Sequence, residues 1–335
     1  MKKSIFSKKV KKILVIMLPI IFIGVVLIEV FVSPYFETMP EISIEADADW
    51  MGKVADDRLL SDIQIPGTHD SGSRYAEFPY VMRCQILSIG EQLDAGFRYL
   101  DIRLKPERDG LAFYHSFAKC KTGMQPGADI LTLDMVLEEI YDFLDKHPTE
   151  TVVFVVKSED GQADIVDVQK RLNTYVQKNP DKWLLTDAVP KLEDARGKLV
   201  LFRRYDDKAG LGANAGIALD WDDQGGEAMI EDAVVLENNE DVQLLVQDRY
   251  RYGIDDKLEV LNVGLDLAAQ NAESGMVRIN FLSTTGPNVF SHPETVAGKM
   301  NAAFKEMELS GNIGWVLFDY GNADLARLVY ERNME

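Results

Sequence analysis

Short, almost continuous apolar runs recur along this chain with room for a helix between most neighbours, and that alternation constrains the fold more than any other feature. The candidate strands are Ile63 to Pro66, Arg98 to Leu104, Leu111 to His115, Thr151 to Lys157, Lys198 to Arg204, Gln243 to Asp248, Val277 to Leu282 and Ile313 to Asp319. Runs that are apolar at every position, rather than at alternate ones, are expected of strands covered on both faces. Between them, Leu131 to His147 places Leu133, Val136, Leu137, Ile140, Phe143 and Leu144 at helical spacing, and Pro148 stops the pattern. Weaker helical patterns run from Ile165 to Val176, Asp256 to Ala272 and Thr295 to Leu309. Strands alternating with helices imply an α/β domain, and about eight strands favour a parallel (β/α)8 TIM-type barrel over a doubly wound sheet. The helix expected around Gln85 to Ala95 is short, so the barrel should be distorted or incompletely closed. No internal repeat and no GxGxxG fingerprint is present.

The first 33 residues stand apart from that pattern. Met1 to Lys12 carries six lysines and no acid, and Ile13 to Val32 is apolar except for Pro19, Gly24 and Glu29. This composition predicts a membrane segment that stays uncleaved, because Pro34 follows the only small candidate for a cleavage site, Ser33; secretion after cleavage is the alternative. The lysines then remain in the cytoplasm and the rest lies outside it. Residues 34–57 read as an acidic stalk, and the folded catalytic domain is expected over residues 50–335. The formal net charge of −19 deepens to −25 once the six N-terminal lysines are set aside. So acidic a body repels nucleic acid, and an anionic substrate has to be held by a local cluster of cations.

Cys84 and Cys120 are the only cysteines. Export makes a bridge between them the expectation, with two free thiols as the alternative. Neither paired CxxC elements nor HExxH occurs, so a zinc cofactor has no support in the sequence.

The ends of the strands carry the chemistry. His69, Asp101, Arg103, His115, Lys157, Arg204, Asp248 and Asp319 fall at or near the C-terminal ends of candidate strands, which meet at one face of a parallel barrel. Two imidazoles with carboxylate partners can take a proton from one oxygen and return one to another, while Arg103 offers a planar fork of donors to a phosphate. That set suits phosphodiester cleavage. His147 and His292 lie at helix ends and read as surface or capping residues.

IPGTHDSG, RYLDIRL, YHSF, VVFVVKSE, EDARGKLVLFRRY, LLVQDRY and IGWVLFDY, in this order from about Trp50 onward, resemble the bacterial phosphatidylinositol-specific phospholipase C family. The resemblance implies a distorted barrel in which His69 is the general base for the inositol 2-hydroxyl and Asp319 orients it. It further implies His115 as the general acid, assisted by Asp70; Arg103 as the phosphate ligand; and Asp101 as a supporting carboxylate. Lys157, Arg204 and Asp248 would contact inositol, and Tyr250 would offer an aromatic face to the ring. The substrate would be phosphatidylinositol or a glycosyl-phosphatidylinositol lipid at a membrane surface, cleaved by a monomer to diacylglycerol and inositol 1,2-cyclic phosphate.

Arg103 stands where calcium-dependent relatives of this superfamily place a carboxylate, so neither metal nor other cofactor is expected. An ion held by Asp70 and Asp101 is the competing reading. Phe78, Pro79, Tyr80, Val81 and Met82, with Ile86 and Leu87, read equally well as an interfacial wedge or as core. Two other functions compete: a metal-dependent glycerophosphodiester phosphodiesterase, against which Arg103 argues, and an inactive barrel that binds inositol lipids or glycans, against which His69, His115 and Asp319 argue.

Overall fold

A computed structural model describes residues 15, 17–24, 42, 44–108, 110–159, 164–226, 228–272, 275–286 and 291–334. Its strands are β1 (Ile65–Thr68), β2 (Tyr99–Glu107), β3 (Gly110–His115), β4 (Ala118–Lys119), β5 (Val152–Ser158), β6 (Trp183–Leu184), β7 (Leu199–Arg203), β8 (Ile217–Ala218), β9 (Val235–Asn238), β10 (Gln243–Gln247), β11 (Val277–Phe281) and β12 (Trp315–Phe318). Parallel pairing runs in the order β7-β5-β2-β1-β12-β11-β10, with β6 and β8 sharing the outer edge of β7 and antiparallel β9 flanking β10. Among the described residues no ladder joins β8 to β9. Side chains span that seam instead: Asp241 Oδ2 accepts the Ala218 N–H at 2.7 Å, and Asn239 Oδ1 accepts the Asp220 N–H at 2.9 Å. The expected α/β barrel is present, distorted and open along one side.

One expected stave is not a stave. Leu111 to His115 forms β3, which turns back antiparallel to an elongated β2, with Leu104 opposite Phe113. His115 therefore reaches the site from a hairpin standing above the barrel, and not from the C-terminal end of a parallel strand. β2 is nine residues long and outruns its neighbours, so its far half has an unpaired edge that β3 satisfies.

Alternation along each strand decides what faces the barrel axis. Tyr99, Val153, Val155, Val200, Phe202, Leu244, Val246, Ile279, Phe281, Trp315 and Leu317 pack together in one buried cluster. Their opposite-parity neighbours Leu100, Ile102, Phe154, Val156 and Leu201 pack with the helices Leu133–Lys146 and Ile165–Lys178 in a second. Trp315 fills the centre, edge-on to Tyr99 and Phe202 with ring centroids 5.6 Å from each.

The stalk boundary needs correction. Ile44, Ala46 and Ala48, expected in the stalk, pack on the barrel ahead of Trp50, which lies inside the expected folded domain, is fully buried, stacks on Tyr330 at 5.2 Å between centroids and donates to the Gly96 carbonyl at 3.0 Å. Arg98, also fully buried, donates to the Ala48 carbonyl at 2.7 Å and to Glu150 at 2.9 Å, tying this segment to the barrel floor. The apolar alternation of sequence before Trp50 is too weak to announce this packing. Most of the expected membrane segment over residues 13–32 lies outside the described residues. Residues 17–24 are helical, and among the described residues no helix is long and apolar enough to cross a membrane.

Replacing Trp50 with alanine should cost about 3–5 kcal/mol of folding stability by leaving a cavity at the barrel floor. Urea unfolding followed by circular dichroism measures it, and an unchanged midpoint would show that residues 44–57 are not part of the folded unit.

Candidate active site

Strand register assembles the site. Thr68 pairs with Phe318 on one side and Leu100 on the other, so the next residue, His69, lands between Asp319 and Asp101. Arg103 is in register with Lys157, and Val156 with Arg203, which sets Lys157 beside Arg204. Each of these side chains continues the inward parity of its strand above the apolar plug.

The chain reverses as it leaves the site. Asp70, Ser116 and Tyr320 adopt φ of 46°, 55° and 50°, and they directly follow His69, His115 and Asp319. Left-handed backbone at a non-glycine residue costs about 1 kcal/mol or more. Three such residues, each one step past a group of the site, turn the chain away so that the preceding side chain is left pointing into the mouth.

Hydrogen bonds specify protonation. His69 Nδ1 lies 2.7 Å from Asp319 Oδ1, and His69 Nε2 lies 2.8 Å from Arg103 Nη2. A guanidinium only donates, so Nε2 must accept, and the proton sits on Nδ1 facing Asp319. An imidazole in this tautomer is unprotonated at Nε2, as a base requires, and its lone pair there accepts from Arg103. Burial lowers the pKa of His69, but the Asp319 carboxylate outweighs it, and the balance lies above the ordinary value of 6.5.

Arg103 is the hub. Its Nε donates to Asp101 Oδ2 at 3.0 Å, and Nη1 lies 3.7 Å from Asp70 Oδ2 and 3.9 Å from Glu159 Oε1. Burial would raise Asp101, yet Arg103 holds it well below the usual carboxylate range; burial wins at Asp70, whose pKa is raised. Lys157 is lowered, chiefly by Arg103 beside it.

On the opposite wall, His115 donates through Nδ1 to the Met82 carbonyl at 2.8 Å, with Asp70 Oδ2 at 3.2 Å. Its Nε2 is thereby left to the cavity. The two imidazole rings stand 6.4 Å apart and perpendicular.

A cavity of about 610 Å³ opens between them, lined by eight of the ten residues expected at the site: His69, Arg103, His115, Lys157, Arg204, Asp248, Tyr250 and Asp319. Asp70 and Asp101 lie just behind its wall, at 2 % and 0 % exposure, and act on it through His115 and Arg103.

Several contributors were missed. Glu159 balances Arg103, and it lies in VVFVVKSE two residues beyond Lys157, on the same side of the strand. The Trp221 ring lies under Arg204, 3.4 Å from its guanidinium carbon, and its Nε1 donates to Asp248 Oδ2 at 3.0 Å, joining two expected inositol contacts. A tryptophan inside the acidic run DWDD was the available signal. Buried Gln85 donates to the carbonyls of His69 and Phe318 at 2.7 and 2.8 Å, pinning β1 to β12. Lys257, fully buried, donates to Gln247 and to the Arg249 carbonyl and braces the end of β10. Burial lowers its pKa to about 7. Neither of these last two gives a sequence signal.

The expected bridge is absent: Cys84 and Cys120 are both buried free thiols. Cys84 belongs to the segment after the first loop and Cys120 to the end of the β3–β4 hairpin, where it pairs with Ala76. His147 caps the helix Leu133–Lys146 and pairs with Asp49, and His292 precedes the helix Pro293–Lys305, as expected of helix ends.

The family model described as PI-PLC X matches residues 56–210. The 1-phosphatidylinositol phosphodiesterase of Staphylococcus aureus (strain Newman) is 29% identical over 290 residues, covering 81% of this chain and 88% of the relative. Its namesake from Listeria monocytogenes is 32% identical over 175 residues, covering 50% of this chain and 51% of the relative. A crystal structure of a phosphatidylinositol-specific phospholipase C variant from Staphylococcus aureus superposes with a TM-score of 0.68 at 23% identity, covering 85% of this chain and 98% of that one.

His69 titration tests the geometry directly. Proton NMR should find this imidazole titrating above 6.5, and Asp319→Asn should bring it down by removing the group that raises it. The stability that the pair contributes is fully present below 6.5 and is lost as pH rises through the folded value. A titration unchanged by the substitution would show that Asp319 does not hold His69.

Proposed function

Because the chain belongs to the bacterial family of phosphatidylinositol-specific phospholipases C with an X-type domain, we propose that it cleaves phosphatidylinositol by internal attack of the inositol 2-hydroxyl. The observation that carries this reading is the pair of imidazoles on opposite walls of one cavity, with the fixed Arg103 cation between two buried carboxylates.

His69, unprotonated at Nε2, takes the hydroxyl proton while Asp319 stabilises the imidazolium that forms. The new alkoxide attacks the adjacent phosphorus, and Arg103 neutralises charge developing on the phosphoryl oxygens. His115, as imidazolium, protonates the departing diacylglycerol oxygen, with Asp70 Oδ2 3.2 Å from its Nδ1. The product is inositol 1,2-cyclic phosphate, and water then opens it slowly with the roles of the two imidazoles exchanged. Lys157, Arg204 and Asp248 bind ring hydroxyls, and Tyr250, fixed by its hydroxyl to Asp223 at 2.7 Å, backs the ring.

The reaction needs no calcium on this reading. Arg103 occupies the space between Asp70, Asp101 and Glu159 with a permanent positive charge, where a hard cation would need several oxygens freed from it. The enzyme acts as a monomer on phosphatidylinositol or its glycosylated form and has no nucleic-acid partner. It lies outside the cytoplasm, tethered through residues 13–32; the lysine block and apolar run support this.

The wedge is revised in composition. Ile86 and Leu87 are buried core, whereas Phe78 is 37% exposed and lies 5.8 Å from Phe117, which is 65% exposed. Val81 and Met82 line the cavity beside them. These two phenylalanines at the rim are the lipid-facing surface on this reading.

Phosphorus NMR of phosphatidylinositol with the protein in chelator should show the cyclic phosphate. His69→Ala should slow its formation by about 10²–10⁴-fold and Arg103→Ala by about 10²–10³-fold. Activity that appears only with added calcium would overturn the metal-free mechanism. Replacing Phe78 and Phe117 together with serine should weaken cleavage in vesicles while sparing hydrolysis of soluble inositol cyclic phosphate; equal losses on both would remove the rim from membrane contact.

A further inference from the structure

Cys84 borders the cavity without a part in the reaction above, and its surroundings are chemically specific. Its Sγ lies 3.9 Å from His115 Nδ1, that nitrogen lies 3.2 Å from Asp70 Oδ2, and the three donor atoms fall within 4.8 Å of one another. Zinc bonds of about 2.3 Å to sulfur and 2.0–2.2 Å to nitrogen and oxygen, at tetrahedral angles, put S and N about 3.6 Å apart and N and O about 3.4 Å apart. Both separations here are within a few tenths of an ångström of that. Asp70 Oδ2 is a second, independent pointer: the residue is 2 % exposed, and this oxygen accepts no hydrogen bond although it faces the imidazole.

We propose that Asp70, Cys84 and His115 form an inhibitory site for a thiophilic divalent cation such as Zn²⁺, which silences the general acid. A sulfur, an imidazole nitrogen and one carboxylate suit zinc or cobalt, whereas calcium and magnesium prefer all-oxygen shells.

The same sulfur also lies near His69 and Asp319. There His69 is held at both nitrogens, Nδ1 by Asp319 and Nε2 by Arg103, whereas on the Asp70 side the one hydrogen bond given up is that of His115 Nδ1 to the Met82 carbonyl, and Asp70 Oδ2 has none to lose. Burial pushes the Cys84 thiol well above its ordinary range, so in the resting protein it is a neutral S–H. On binding, the S–H bond and the Nδ1–H bond of His115 break, both protons pass to water, and the freed lone pairs bond to the cation. Nothing is oxidised or reduced. His115 keeps one proton on Nε2 but can no longer become an imidazolium, and Asp70 is removed from its support. Arg103, 3.7 Å from Asp70 Oδ2, opposes a second cation and keeps the affinity below that of a structural zinc site.

The inhibition rests on His115 being the general acid of the proposed reaction; the binding does not. Full-length protein is titrated with Zn²⁺ in chelator-free buffer, with turnover read on soluble inositol cyclic phosphate, and separately with Co²⁺, with the thiolate-to-cobalt absorption band read in the near ultraviolet. Zinc should silence the unaltered protein, and EDTA should restore it. Cys84→Ser should keep its basal rate within about threefold and need at least roughly ten times more zinc, and its cobalt band should vanish. Cys120→Ser, which leaves the three ligands in place, should match the unaltered protein in both readouts. Equal zinc sensitivity with and without Cys84, or no cobalt band in the unaltered protein, would overturn the site. Were turnover absent from every variant, the cobalt band would still decide the binding, so failure of the lyase reading is told apart from failure of this one.

Discussion

A single guanidinium holds the mouth of this barrel in its working state. Arg103 reaches Asp101, Asp70, Glu159 and His69 from one position on β2. Buried carboxylates ionise only beside a cation, and a guanidinium cannot relieve the arrangement by losing its proton. The charge therefore stays, Asp101 stays ionised, and His69 must turn its lone pair toward the donor. A lysine in the same place could shed its proton and would offer no fork. The hub thus sets the charge of the site, the tautomer of its base and the depressed pKa of Lys157 together.

Rigid elements support that hub at every contact. Asp101 Oδ2 also accepts the Asp70 N–H at 3.0 Å, so the loop carrying Asp70 is tied to the strand carrying Arg103. Gln85 ties β1 to β12 from the side, and the Asn301 side chain donates to the Asp319 carbonyl at 2.9 Å from the helix Pro293–Lys305. Below lies the aromatic plug around Trp315, which prevents the inward-facing charges from sinking or the strands from sliding. Left-handed residues after His69, His115 and Asp319 are strain that this framework carries.

Charge is distributed in two opposing patterns. The body beyond the first 12 residues carries −25, yet Arg103, Lys157 and Arg204 stand side by side at the mouth. An anionic headgroup is repelled by most of the surface and attracted at one point, so charge assists selection as well as chemistry. Trp221 lies beneath Arg204 and donates to Asp248, joining that cation to the carboxylate beside it.

The apolar runs and the charged residues at their ends made the barrel and most of its site legible in the amino-acid sequence. All eight candidate strands exist, and Asp101, Arg103, Lys157, Arg204, Asp248 and Asp319 could be placed at one mouth because the end of an apolar run is a local feature. Register, hairpin geometry and burial are not local. Nothing in Leu111 to His115 says that it returns antiparallel on β2, nothing in residues 44–57 says that Trp50 closes the floor against Tyr330, and two cysteines cannot reveal that they stay unbridged. Gln85, Trp221 and Lys257 gain their roles only from neighbours distant in the chain, where burial forces each polar atom to find a partner. Sequence alone determined which charged side chains stand at the ends of the apolar runs, since a run and its end are local features; tertiary structure decided which of them face the axis and meet, since that depends on how strands far apart in the chain come into register.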